Sequence, residues 1–336
     1  YNTETDGYGS GEMSRLLRAL KIDDPNIEHR FISPELHVDQ VQPGTISKAP
    51  AVLEILKKKF ESGISKSALG QYVRDPLRFY EQVVLGIYEE DEIEETIATN
   101  TMGTVIHEVL EQLYKPYLNH YLSVEILKGM LPMYEAILHE QFKIHYRSGS
   151  IKTGKNKLIF EVCKNYLKRF LNMELKTLEK GHQVKILGTE LKLQALLSQS
   201  DEGAPICLKG IIGRVDLFDG TIRIIDYKTG TVKPKEMNLK DLESLGVDLD
   251  YSKALQVLSY AYLYTANNNV GVDSDMIGGI FSFKRLNDGL QLLKLPGNTT
   301  TITSEILSEF SQRILATIAE ILDPDVPFIE AIDNKY

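Results

Sequence analysis

GRVDLFDGTIRIIDYKTG, residues 213–230, decides how the rest of the chain is read. Two runs rich in Val, Ile and Leu flank Asp219-Gly220, a dipeptide that favours a two-residue hairpin turn. The same runs carry Asp216, Asp226 and Lys228. A carboxylate taken out of water needs a cation or a metal beside it. Asp226 and Lys228 are two apart and share a strand face, so an ion pair is the simplest account of them. Adding Asp216 gives two acids against one lysine, and a divalent cation between the acids would relieve the repulsion. Carboxylates with open water positions suit Mg2+ or Mn2+, and an adjacent lysine could orient an attacking water on a phosphodiester. Register constrains this reading. A strict two-residue turn pairs Asp216 with Arg223 and sends Asp226 to the opposite face, because side chains alternate with period two. A shared metal site therefore predicts a longer loop or a bulge, with Gly220 in the left-handed conformation.

The surrounding chain is ordinary for a globular protein: 336 residues, 43% hydrophobic and 25% charged. No run reaches the roughly 18–20 apolar residues of a membrane span, and the first residues contain no signal-peptide core, so a cytoplasmic protein with no membrane partner is expected. Cys163 and Cys207 are the two cysteines of the chain, which excludes a disulfide framework or a zinc cluster. The net charge of −9 weighs mildly against nucleic acid as a partner. Charge is uneven, however: acid gathers in EEDEIEE (89–95) and base in IKTGKNK (151–157), KNYLKR (164–169) and KPK (233–235). Each run alone reads as a solvated face.

Residues 1–62 read as an N-terminal appendage, with a short helix near Ser14–Leu20 and then an extended stretch marked by Pro25, Pro34, Pro43 and Pro50. From 64 to 180 the apolar spacing is helical, with Ile106, Leu110, Leu113 and Tyr117 forming one stripe and Phe160, Cys163, Leu167, Phe170 and Leu171 another. QVKILGTELKLQALL, PICLKGIIGRVDLF and TIRIIDYKT then read as a three-stranded antiparallel meander. A helix, two more strands and a helix over 303–322 complete the predicted order.

Several ordered motifs resemble one family. GIIGRVD, IIDYKTG and QVLSY, preceded by ISKSALGQYVRDPLRFYEQVVLGI (64–87) and GTVIHEVLEQLY (103–114), are similar to the RecB-like branch of the PD-(D/E)XK nucleases, including AddB-type nuclease domains. The resemblance implies an α/β core of restriction-endonuclease-like type over residues 63–336, a mixed central sheet flanked by helices with a helical insertion at about 115–180. It implies a Mg2+- or Mn2+-dependent deoxyribonuclease, an exonuclease module acting on DNA beside a helicase–nuclease partner subunit in DNA repair. His107, Asp216, Asp226 and the backbone carbonyl of Tyr227 would hold the metal, and Lys228 would assist the attacking water. Gln256 and Tyr260, four apart on one helix face, would border the site; Glu190 and Arg214 would support it. A nuclease fold kept for DNA binding or scaffolding without turnover is the alternative.

Two departures from the family pattern stand out. Where an Asp is usual upstream, this chain has Gly213, leaving Asp216 as the expected ligand. Asp75 stands where iron–sulfur members place a cysteine, and two cysteines cannot ligate a cubane cluster, so no iron–sulfur cluster is expected. Asp75 before Pro76 reads instead as a helix N-cap, with Leu77, Phe79, Tyr80 and Val83 anchoring the segment against the core. GEMSRLLRAL (11–20) is similar to a helix near the end of superfamily 1 helicase-like regions. With no Met at position 1, the chain is expected to be part of a longer protein.

Overall fold

The computed structural model describes residues 43–88, 97–146, 151, 153–199, 203–268 and 276–331. The helix expected near Ser14–Leu20 and the acidic run at 89–95 lie outside them. A short strand β1 (Thr45–Ile46) leads to helix α1 (Pro50–Glu61) and strand β2 (Ile64–Ser65). Pro50 opens a helix rather than extending the chain, as its fixed φ at a first helical position allows. Helices α2 (Lys66–Arg74) and α3 (Pro76–Phe79) follow, the latter continued by a π turn at Tyr80–Val84. Asp75 caps α3 as expected, its carboxylate accepting from Arg78 N at 3.0 Å. Behind it Phe79 is buried against Tyr72 and Phe328.

The helical half consists of α4 (Thr99–Tyr114), α5 (Val124–Met130), α6 (Tyr134–His145) and α7 (Gly154–Glu179). The predicted stripe Phe160, Cys163, Leu167, Phe170 and Leu171 is buried, and one turn further along it lies a buried acid, Glu174. The meander is present as β3 (Val184–Gln199), β4 (Pro205–Phe218) and β5 (Thr221–Lys228). Helix α8 (Ser252–Asn268), strands β6 (Met276–Ser282) and β7 (Leu290–Leu292), helix α9 (Ser304–Leu322) and strand β8 (Phe328–Ile329) complete it. Among the described residues no helix is long and apolar enough to cross a membrane.

β4 organises the mixed six-stranded sheet. Along one edge it pairs antiparallel with β3 over its whole length. Its other edge is shared: β2 runs parallel to it at Leu208 and Lys209, and β5 runs antiparallel to it from Arg214 to Phe218. The two neighbours part between those points, so residues 210–213 face a fork. β6 and β7 extend the sheet beyond β5. One face packs on α1, α2, α8 and α9 through Val215, Ile224 and Ile280; the other packs on α4–α7 through Ile186, Ile225, Tyr227 and Phe281. Away from the sheet, β1 and β8 form a separate antiparallel pair.

The turn between β4 and β5 corrects the register expected for a shared metal site. Asp219 (φ 48°) and Gly220 (φ 91°) are both left-handed, the signature of a two-residue type I′ turn. Phe218 pairs with Thr221 and Asp216 with Arg223, with no bulge in this ladder. Gly220 is left-handed as expected, but the anticipated bulge or longer loop is absent. Asp216 and Asp226 consequently lie on opposite faces of the sheet.

Candidate functional site

The fork holds Asp226. β5 carries it past the last β4 pairing, and α8 packs above it with Gln256 and Tyr260 one turn apart. Gln256 Nε2 donates to Asp226 Oδ1 at 3.1 Å and lies 2.8 Å from the Tyr260 hydroxyl, while Gln256 Oε1 accepts from Lys66 Nζ at 3.1 Å. The amide therefore relays between a carboxylate and a lysine, and this fixes which way it points. Lys228 Nζ stands 2.8 Å from Asp226 Oδ2, an ion-pair contact outside hydrogen-bond alignment that leaves this buried oxygen without a hydrogen-bond donor in the described residues. Burial pushes the Lys66 amine down to about 8, the charge of Lys228 adds to the shift, and Asp226 opposes it. Lys253 is lowered as well, first by burial and then by Lys228.

Beside the fork, His107 on α4 bridges two strands. Its Nδ1 lies 2.7 Å from Glu190 Oε1 on β3 and its Nε2 lies 3.0 Å from the Tyr227 carbonyl on β5. Burial is the largest influence on this imidazole and would lower its pKa. The Glu190 hydrogen bond, the charges of Asp226 and Glu190 and the Tyr227 carbonyl together outweigh burial, so the net shift is upward. Glu190 pays for this contact with backbone strain: its φ of 45° is left-handed for a non-glycine residue, which costs about 1–3 kcal/mol. Gly213 faces it across the ladder, between the pairs Thr189–Arg214 and Leu191–Ile212. Here the alternation of β4 breaks, because Ile212 and Val215, three apart, both join the core on the α8 side. A Cβ on Gly213 would sit 3.4 Å from His107 Cε1, so the position points toward the imidazole.

Asp216 and Arg214 belong to the other face. Both are fully buried. Asp216 Oδ1 accepts from Arg223 Nε at 2.7 Å and Oδ2 from Arg223 Nη2 at 2.8 Å, and Arg214 Nη2 stands 2.6 Å from Oδ2. Arg214 Nη1 also donates to Glu174 Oε1 at 2.8 Å, and its guanidinium lies 4.8 Å from the centre of the Tyr114 ring. The Tyr114 hydroxyl donates to the other Glu174 oxygen. Burial alone would raise the Asp216 pKa; the two guanidinium groups overcome it and hold the carboxyl below its ordinary value. Two acids and two arginines thus neutralise one another inside the α4–α7 core. Asp216 is a structural anion, and Arg214 supports that core rather than the fork.

Of the expected metal set, His107, the Tyr227 carbonyl and Asp226 share one neighbourhood, and Asp216 lies outside it on the far face. Among the described residues no three His, Cys, Asp or Glu side chains gather closely enough to hold a metal ion. Asp226 faces Lys228, with Lys66 and Lys253 close enough to feel it, while Glu190 is held by His107. The charges immediately around Asp226 balance, and with Asp216 on the far face the residues present do not fit a divalent metal centre. They suit an anion better, since the amines of Lys192 and Lys228 line the opening. The cleft is about 480 Å3 and is lined by His107, Glu190, Lys192, Ile211, Tyr227 and Lys228, among others. Lys66, Lys192 and Lys253 were not singled out from sequence. Only the nearby motif at 64–87 pointed toward Lys66, and nothing in local spacing separates such lysines from solvated ones.

A forked mixed sheet with an acid–lysine pair on the strand that diverges at the fork defines a nuclease-fold domain. Residues 63–331 match the model of the PD-(D/E)XK nuclease superfamily, and the chain belongs to it. Similar proteins include an uncharacterized protein of Rickettsia typhi, 27% identical over 186 residues that make up 55% of this chain and 20% of the relative. An uncharacterized protein of Rickettsia conorii is 27% identical over 185 residues, 55% of this chain and 21% of that one. The chain thus spans about a fifth of the length of these relatives.

Proposed function

We propose that this domain binds nucleic acid in the cleft between His107 and Lys228, beside the buried Asp226, and that its phosphodiester chemistry is attenuated. The observation that carries this reading is Gly213: the position facing His107 has no carboxylate, and Asp216 is committed to Arg214 and Arg223 on the far face. A nuclease fold in this condition keeps the amines of Lys66 and Lys228 as donors for phosphate, while the charge that would gather a divalent cation is reduced. DNA is the proposed ligand. A helicase-type partner and a preceding helicase-like region, to which GEMSRLLRAL (11–20) would belong, are proposed on the sequence resemblance alone; within the 1–62 appendage, Thr45–Ile46 and Pro50–Glu61 are instead part of the nuclease fold.

A second reading, a metal-dependent exonuclease module of a helicase–nuclease complex of RecB-like or AddB type, is favoured by one observation. Asp226, Lys228 and Gln256 remain assembled, with Asp226 Oδ2 lacking a hydrogen-bond donor in the described residues. Labelled linear and circular DNA, incubated with the protein in Mg2+, in Mn2+ and in chelator, separates the two. Binding that persists in chelator, with little or no product, is the expected result. Rapid cleavage abolished by Asp226→Ala or Lys228→Ala would return the exonuclease, and absence of binding in every condition would overturn both.

A further inference from the structure

Next to the cleft runs a second groove of about 580 Å3, lined by Ser65, Lys66, Ser67, Lys192, Lys209 and Tyr260, among others. It is continuous with the cleft, since Lys192 and Ile211 line both. The charges along the two are uneven. Lys66, Lys192 and Lys209 line the groove without an acidic residue, whereas Glu108, Glu111 and Glu190 line the cleft. Lys192 has no ion-pair partner among the described residues, and Lys209 reaches only the Ser62 carbonyl, at 3.4 Å. Lys66 joins the two regions through Gln256, which holds Asp226 on its other side.

We infer that this groove seats the sugar–phosphate backbone of a single nucleic-acid strand leading into the Asp226–Lys228 cleft, with Lys66, Lys192 and Lys209 as successive phosphate contacts. The inference rests on the nucleic-acid reading of the cleft and adds the side from which the strand arrives. The acidic wall of the cleft repels a strand running the other way, so the basic side is the side of approach. Size selects a single strand: a groove of this volume takes a few backbone units, whereas a duplex, roughly 20 Å across, would rest on its rim. The hydroxyls of Ser65 and Ser67 and the exposed Ile211 at the junction offer further polar and apolar contacts.

The test is fluorescence anisotropy with a labelled twelve-nucleotide oligothymidylate in chelator, read as affinity against salt. The variants are Lys192→Gln/Lys209→Gln and a control, Lys168→Gln/Lys176→Gln, on the exposed side of the helix at 154–179. Each phosphate contact on a single strand contributes about 0.7 to the slope of log affinity against log salt. The groove variant should therefore lose about 1.4 of slope and bind more weakly, with wild-type melting temperature, and the control should match wild type. An unchanged slope in the groove variant, or competition by duplex equal to that of single strand, overturns the groove and leaves the cleft reading standing. Wild-type protein that binds no oligonucleotide overturns the cleft reading and the groove together.

Discussion

Asp216→Asn separates the two carboxylates that sequence would pair. In the folded protein Asp216 receives Arg214 Nη2 at 2.6 Å and Arg223 Nε and Nη2 at 2.7 and 2.8 Å, all out of water. With Glu174 and two guanidinium groups, the network is neutral; the amide leaves it with one uncompensated positive charge in the core. Removing one partner of a buried ion pair costs about 3–5 kcal/mol. At about 2 °C per kcal/mol for a domain of this size, the melting temperature should fall by about 6–10 °C. The folded pKa of Asp216 is depressed, so its contribution is present above the unfolded value and is lost as pH falls through the folded one. The gap between variant and wild type should hold through neutral pH and narrow only below the ordinary carboxyl value of 3.8. Calorimetry from pH 3 to pH 7 measures this, and anisotropy with single-stranded DNA below the melting point measures the site. A melting temperature within 1 °C of wild type, or a folded variant that has lost binding, refutes the structural role given to Asp216.

Gly213→Asp should place a second carboxylate beside His107. Its Cβ meets neighbours no nearer than 3.4 Å, so folding should survive with a loss of less than about 1.5 kcal/mol, and Mg2+-dependent cleavage should rise above wild type; a folded variant with no gain in Mn2+ or Mg2+ would sink the reading of Gly213. His107 titrates above its ordinary value, so the stability it adds is complete below the unfolded pKa of about 6.5 and disappears as pH rises through the folded one. Thermal scans from pH 5.5 to 8.5 should show this decline in wild type and not in His107→Gln. Asp75→Ala removes the cap on Arg78 N and should cost about 1 kcal/mol in denaturant unfolding with no change in nucleic-acid affinity.

The meander, the helix bearing Gln256 and Tyr260, and the Asp75 cap are local events written in short stretches of chain, and they read correctly from them. The side taken by Asp216 was also legible. Asp219-Gly220 specifies a two-residue turn, and period-two counting from it places Asp216 opposite Arg223. The expectation of a bulge came from requiring a shared metal site, and local turn chemistry prevailed over it. Other features lay beyond reach of sequence. Glu174, which shares Arg214 with Asp216, comes from a helix 40 residues away, and an acid on an apolar stripe gives no hint of its partner. Glu190 adopts a left-handed φ that glycine or asparagine would have signalled and glutamate does not.

The pairing of Thr45–Ile46 with Phe328–Ile329 has a mechanical consequence. Thr45 sits opposite Ile329 and Ile46 opposite Phe328, so the chain enters and leaves at the same end of this ribbon. One more rung, from Glu330 N to the Gly44 carbonyl at 2.9 Å, lies at that open end. Tension arriving along the flanking chain from both directions would load these rungs one after another, like a zipper, instead of sharing the load among them as shear would. The ribbon would open rung by rung from that end, until the buried Phe328 holds it. The forked sheet behind it, whose long strands are joined along their length, would keep its shape after the ribbon had opened.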